Sequence, residues 1–138
     1  MKTLRGVMID MNIQGQMVNV QRIWEGPEWN EIWAYLNVEC RVFADLGLSQ
    51  STTDQDLWRL CQSEGLVLVT ANRNQKRPDS LEAAIRMDND ETSLPVITVS
   101  DQEALRVDGE YARRVAIRIL EYLFDVEKVC GAGRLYVP

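Results

Sequence analysis

The chain contains no histidine. That absence excludes Ser–His–Asp and Cys–His catalysis, imidazole acid–base chemistry and the usual zinc sites. Glycine-built signatures are missing as well: there is no P-loop, no G-x-G-x-x-G fingerprint and no G-x-S-x-G nucleophile elbow. No apolar run approaches the roughly 20 residues that a bilayer needs, so no membrane association is expected. The opening "MKTLRGVMID" has basic residues but reaches Asp10 after a short apolar stretch, which is not the pattern of a signal peptide. Cysteine is sparse: Cys40, Cys61 and Cys130 are scattered without metal-type spacing, each in an apolar setting. Reduced, buried thiols in a cytoplasmic protein are therefore expected. A net charge of −6 argues against broad duplex binding through a basic surface. If the chain is an enzyme, carboxylates carry its chemistry.

What is present reads as ordinary globular composition, 46% hydrophobic and 26% charged over 138 residues, and one domain spanning 1–138 is expected. "GVMID" is a short apolar run with β-branched content that stops at a carboxylate, hence a first strand. Helical spacing follows over 13–24 through Met17, Val20 and Trp24, and "EGP" breaks it. A second helix over 28–36 places Trp29, Ile32, Trp33 and Leu36 on one stripe. "VECRVFADLG" alternates Val38, Cys40, Val42 and Ala44 as a second strand ended by Gly47. "STTDQDLWRLCQSEG" predicts a helix with Thr52 or Thr53 as N-cap and Gly65 as its stop. "LVLVT" is apolar on both faces, as a central parallel strand is. A short helix over 79–87, a strand in "LPVITVS", a long helix over 109–124 and an edge strand in "GRLYVP" complete the alternation. The fold class is α/β: a three-layer sandwich around a mainly parallel sheet, with no repeats and no linker.

In open parallel sheets, ligands bind outside the carboxyl ends of the strands. Asp10 and Asn12 lie at the end of the first strand, and Asp54 and Asp56 open the helix after the second. Asn72 and Asn74 follow the third strand, with Asp79 and Glu82 at the start of the next helix. Oxygen ligands gathered from several strand ends make the hard shell that Mg²⁺ or Mn²⁺ prefers. Each residue also has a structural reading. Asp79 with Glu82 fits a capping box, as does Thr53 with Asp56, and Asp54 is favoured beside a helix N-terminus in any case. Asn72 and Asn74 fit turn positions. Asp10 is the strongest candidate, because a carboxylate closing an apolar strand is costly to bury without a partner. Arg73, Lys76 and Arg77 suit either phosphate contact or a solvated loop. Arg86, one turn past Glu82, suits either phosphate clamping or a helix-surface ion pair. Trp24, Trp29, Trp33 and Trp58 sit at core-facing helical spacing, so packing in a core or a homodimer interface is expected ahead of base stacking.

"MIDMN" at the first strand, "TTDQDLWRLCQSEGLVLVT" in the middle and "NRN" directly after it resemble the PIN-like domain family, in particular its compact members related to toxin nucleases. The resemblance covers roughly residues 6 to 100. "NIQGQ", "NRN", "DSLE", "IR" and "SLPV" further resemble a cyanobacterial-type subgroup. The family implies a metal-dependent endoribonuclease, or an inactive relative that binds RNA or protein. It also implies Mg²⁺ or Mn²⁺ as cofactor, single-stranded RNA as substrate and an antitoxin-like protein as partner. Position by position, Asp10 and Asp54 become the first and second metal ligands, while Asn72 and Asn74 stand where the family pattern carries acids. An amide oxygen coordinates a cation without contributing charge, so Asp79 and Glu82 are the residues left to complete the shell.

Overall fold

A strand is buried along its whole length only when both faces of its sheet are covered. In the computed structural model, which describes residues 3–72 and 80–138, three strands meet that condition: β1 (Gly6–Ile9), β3 (Leu66–Thr70) and β4 (Val96–Val99). Two short strands, β2 (Glu39–Arg41) and β5 (Arg134–Val137), form the edges. All pairings are parallel, in the order β2-β1-β3-β4-β5. The order reverses between β1 and β3, which opens a crevice at their carboxyl ends. Gly6 is required where β1 meets β2, because a Cβ there would collide with the Glu39 carbonyl oxygen.

Strand side chains alternate between two cores. Val7, Ile9, Val67, Val69, Ile97, Val99 and Val137 face a layer that includes α1 (Met17–Glu25) and α6 (Gly109–Phe124). The short helices α2 (Asn30–Leu36), α5 (Gln102–Val107) and α7 (Val126–Val129) pack on the same side. Met8, Leu66, Leu68 and Val96 face α3 (Asp54–Glu64) and α4 (Leu81–Asp88) on the other. This is the three-layer α/β/α sandwich that the alternation of elements predicts. Trp24 is buried, stacks on half-buried Trp33 with ring centroids 4.6 Å apart, and donates Nε1–H to the Ala116 carbonyl at 2.9 Å. Trp58 is buried in the second core and Trp29 is half-buried.

Local chemistry moves several boundaries from those the sequence predicts. The first helix begins at Met17 because Met11–Ile13 forms a separate 3-10 turn ahead of it. The second begins at Asn30. The second strand stops at Arg41: Asp45 Oδ2 accepts the Val42 N–H at 2.9 Å, turning the chain into a 3-10 segment (Phe43–Leu46) that buries Phe43. Helix α4 starts two residues later than expected and its cap is Ser80, whose Oγ accepts the Ala83 N–H at 3.1 Å. The expected Asp79 cap lies outside the described residues. Helices α5 and α7 carry too few turns to leave an apolar periodicity, and the sequence reading omits both. Thr53 does cap α3, and α6 runs over the predicted residues with Asp108 as its cap.

Candidate functional site

Four polar side chains meet in the crevice between β1 and β3. Asp10 leaves β1 only 9% exposed. Thr70, the fully buried last residue of β3, donates its hydroxyl to Asp10 Oδ2 at 2.7 Å. That hydroxyl in turn accepts the Asn72 backbone N–H at 2.9 Å, so the loop leaving β3 is tied to the acid leaving β1. Asp54 comes from the first turn of α3, where the Thr53 cap fixes it. Its Oδ2 accepts Asn72 Nδ2 at 2.9 Å and the Leu81 N–H at 3.3 Å, joining the start of α3 to the start of α4. Gln102 of α5 donates to the Asn12 carbonyl at 2.7 Å and steadies the turn after Asp10.

The electrostatics follow from this placement. Burial pushes the Asp10 carboxyl above its ordinary value of 3.8, and the nearby Asp54 charge pushes it further. The Thr70 hydroxyl and the Met11 and Asn12 backbone amides oppose that rise without reversing it. Asp10 and Asp54 therefore share one depression, of about 460 Å³, with Met11, Asn12, Phe43, Gln50, Thr52, Leu57 and Asn72. Among these lining residues there is no cation. A slightly larger depression of about 510 Å³ lies at the opposite ends of β1 and β2, between Arg5, Glu39, Arg41 and Glu64. There Arg41 and Glu39 already pair at 2.5 Å, and the position is the wrong end of the sheet for a ligand site.

Of the acids expected in a common shell, the structure brings Asp10 and Asp54 together. Glu82 is engaged elsewhere: Arg134 donates Nε–H to its Oε2 at 3.0 Å, and Nη2 lies 2.9 Å from the same oxygen. Arg86 is exposed, and the Glu82 carboxylate faces Arg134 instead of it. Arg73, Asn74, Lys76, Arg77 and Asp79 lie outside the described residues. Asn12 is exposed at the rim and Asn72 is half-buried between the two acids. Among the described residues, no three acidic or cysteine side chains are grouped to hold a metal ion. Two carboxylates nevertheless fit Mg²⁺, which keeps several waters and is commonly held through one or two acids.

Two contributors escape a reading of the sequence. Thr70 looks like one more β-branched strand residue, and only the position of its hydroxyl beside Asp10 distinguishes it. Arg134 lies 62 positions from Asn72 on an edge strand, with no motif around it. Scans of family models, curated proteins and solved structures find no match to the chain. The PIN-like resemblance therefore rests on the quoted sequence motifs alone.

Proposed function

We propose that the crevice is a divalent-cation site of PIN-like type, acting on the phosphodiester backbone of single-stranded RNA as an endoribonuclease of reduced strength. The observation that carries this reading is the shared depression of Asp10 and Asp54 at the point where strand order reverses. Asp10 and Asp54 are the residues that would hold Mg²⁺ or Mn²⁺. When bound, the ion would supply positive charge and Lewis acidity against a phosphodiester. The chain's own residues set the rest. Thr70 orients Asp10, and Asn72 orients Asp54 through one oxygen. Gln50, Thr52 and Asn12 line the rim as hydrogen-bonding groups for a polar ligand. Reduced strength follows from Asn72, which brings no charge where the family pattern has an acid, and from the pairing of Glu82 with Arg134.

That pairing favours a second reading, a silent module that binds RNA or a protein partner through the same cleft. Three cysteines free of disulfides fit a cytoplasmic location. Among the described residues no helix is long and apolar enough to cross a membrane. Labelled single-stranded RNA incubated with Mn²⁺, with and without chelator, separates the two readings. Chelator-sensitive cleavage that Asp10→Ala abolishes supports the nuclease. A mobility shift without cleavage supports the silent module, and the absence of both cleavage and shift removes both readings.

A further inference from the structure

Arg134 makes contacts that an edge-strand residue does not need for pairing. Its side chain is 6% exposed, on the sheet face that carries Val96 and α4. Nε and Nη2 face Glu82 of α4, as described above. Nη1 donates to the Asn72 carbonyl at 2.9 Å and to Thr98 Oγ1 of β4 at 2.6 Å. One guanidinium thus joins β5, α4, β4 and the segment leaving β3. Asn72 is consequently gripped at both ends of its backbone, N–H by Thr70 and C=O by Arg134, with its side-chain amide turned to Asp54.

We infer that Arg134 is a positioning residue of the Asp10–Asp54 site: by fixing the Asn72 carbonyl, it holds the Asn72 amide on Asp54 and so sets where that carboxylate points. Glu82 is then the group that holds the guanidinium in place, and its pairing has a use even though it removes an acid from the shell. The planar fork is essential to this arrangement, because a point-charge ammonium cannot face Glu82, Thr98 and the Asn72 carbonyl together. That Asn72 is held by Arg134 is independent of what the site does; the consequence for metal affinity rests on the function proposed above.

The test uses the full chain as wild type, Arg134→Met, Arg134→Lys and Glu82→Gln. The first readout is the pair of Asn72 side-chain amide protons in ¹H–¹⁵N spectra without metal; the second is the affinity for Mn²⁺ alone. In wild type the two amide protons are expected to be well separated, one of them shifted by its bond to the Asp54 carboxylate. In Arg134→Met they collapse to free-amide values, in Arg134→Lys they lie between, and strand β1 amides stay unmoved. Mn²⁺ binding weakens in step by about 10–100-fold, the scale on which outer supports of a metal ligand act. An unchanged Asn72 signal in folded Arg134→Met overturns the inference, as does an unchanged signal in both Arg134→Lys and Glu82→Gln should the methionine variant not fold. Wild type that shows the amide signature but no Mn²⁺ binding removes the proposed function and leaves Arg134's hold on Asn72 standing.

Discussion

Substituting Asn72 by Asp places an acid where the proposed PIN-like reading would have one, and its effect without metal follows from the contacts of Asn72. The change removes a donor 2.9 Å from Asp54 Oδ2 and substitutes a second carboxylate oxygen. A hydrogen bond to a charged group contributes about 1.5–3 kcal/mol. Two unit charges about 4 Å apart repel by about 4 kcal/mol at an effective dielectric near 20. Asn72 is half-buried, so the new side chain can turn partly to water and recover some of that repulsion. A net loss of about 2–4 kcal/mol remains, or roughly 8–16 °C in Tm at about 4 °C per kcal/mol for a domain of this size. Melting by circular dichroism in excess chelator measures it. Millimolar Mn²⁺ then stabilises Asn72→Asp more than wild type, because the ion gains a charged ligand and binds only the folded state. A variant that melts like wild type in chelator, or that gains no more from Mn²⁺ than wild type does, refutes the reasoning.

Asp10→Asn stabilises the metal-free protein at pH 7, by an amount on the order of 1 kcal/mol, since it removes a buried charge that faces Asp54. Burial raises the Asp10 carboxyl, so the folded state binds that proton more tightly than the unfolded chain, and wild-type stability falls as pH rises through the interval above 3.8. The advantage of Asp10→Asn therefore shrinks as pH is lowered toward 3.8, and urea melts at pH 7 and pH 4 check it. Gln62→Leu loses both bonds that the buried amide makes to Leu94, Nε2 to its carbonyl at 2.8 Å and Oε1 from its N–H at 2.9 Å. Leaving two backbone groups unpaired costs about 2–4 kcal/mol by urea unfolding. Cys40 and Cys61 have thiols pushed up to about 12, mainly by burial, so a thiolate-selective reagent at pH 8 labels these two cysteines far more slowly in the folded protein than in the urea-unfolded one, as peptide mapping reads.

Patterns with a long period are legible in the sequence alone. The sixteen residues of α6 repeat their apolar stripe over four turns, and "LVLVT" is buried on both faces, so both elements lie where the sequence places them. Short elements were not legible. The six residues of α5 are fixed by the Asp101 cap and by packing rather than by periodicity. The end of β2 depends on two reciprocal hydrogen bonds between Val42 and Asp45 that no propensity records. Within the site, strand ends are readable as acids that close apolar runs, which is how Asp10 stands out. Side-chain partners across the fold are not readable. Glu82 and Arg86 are one helical turn apart, yet Glu82 pairs with Arg134, 52 residues on, because parallel order sets β5 beside β4. Thr70 shows the same limit, since its role is defined by a residue 60 positions away.

Calorimetric titration of Mn²⁺ into chelator-treated protein tests the central claim most directly. Wild type is expected to bind one ion with resolvable heat, and Asp10→Asn, although folded and more stable, to lose that binding. No resolvable heat in wild type, or an unchanged isotherm in Asp10→Asn, contradicts the assignment of this crevice as a cation site.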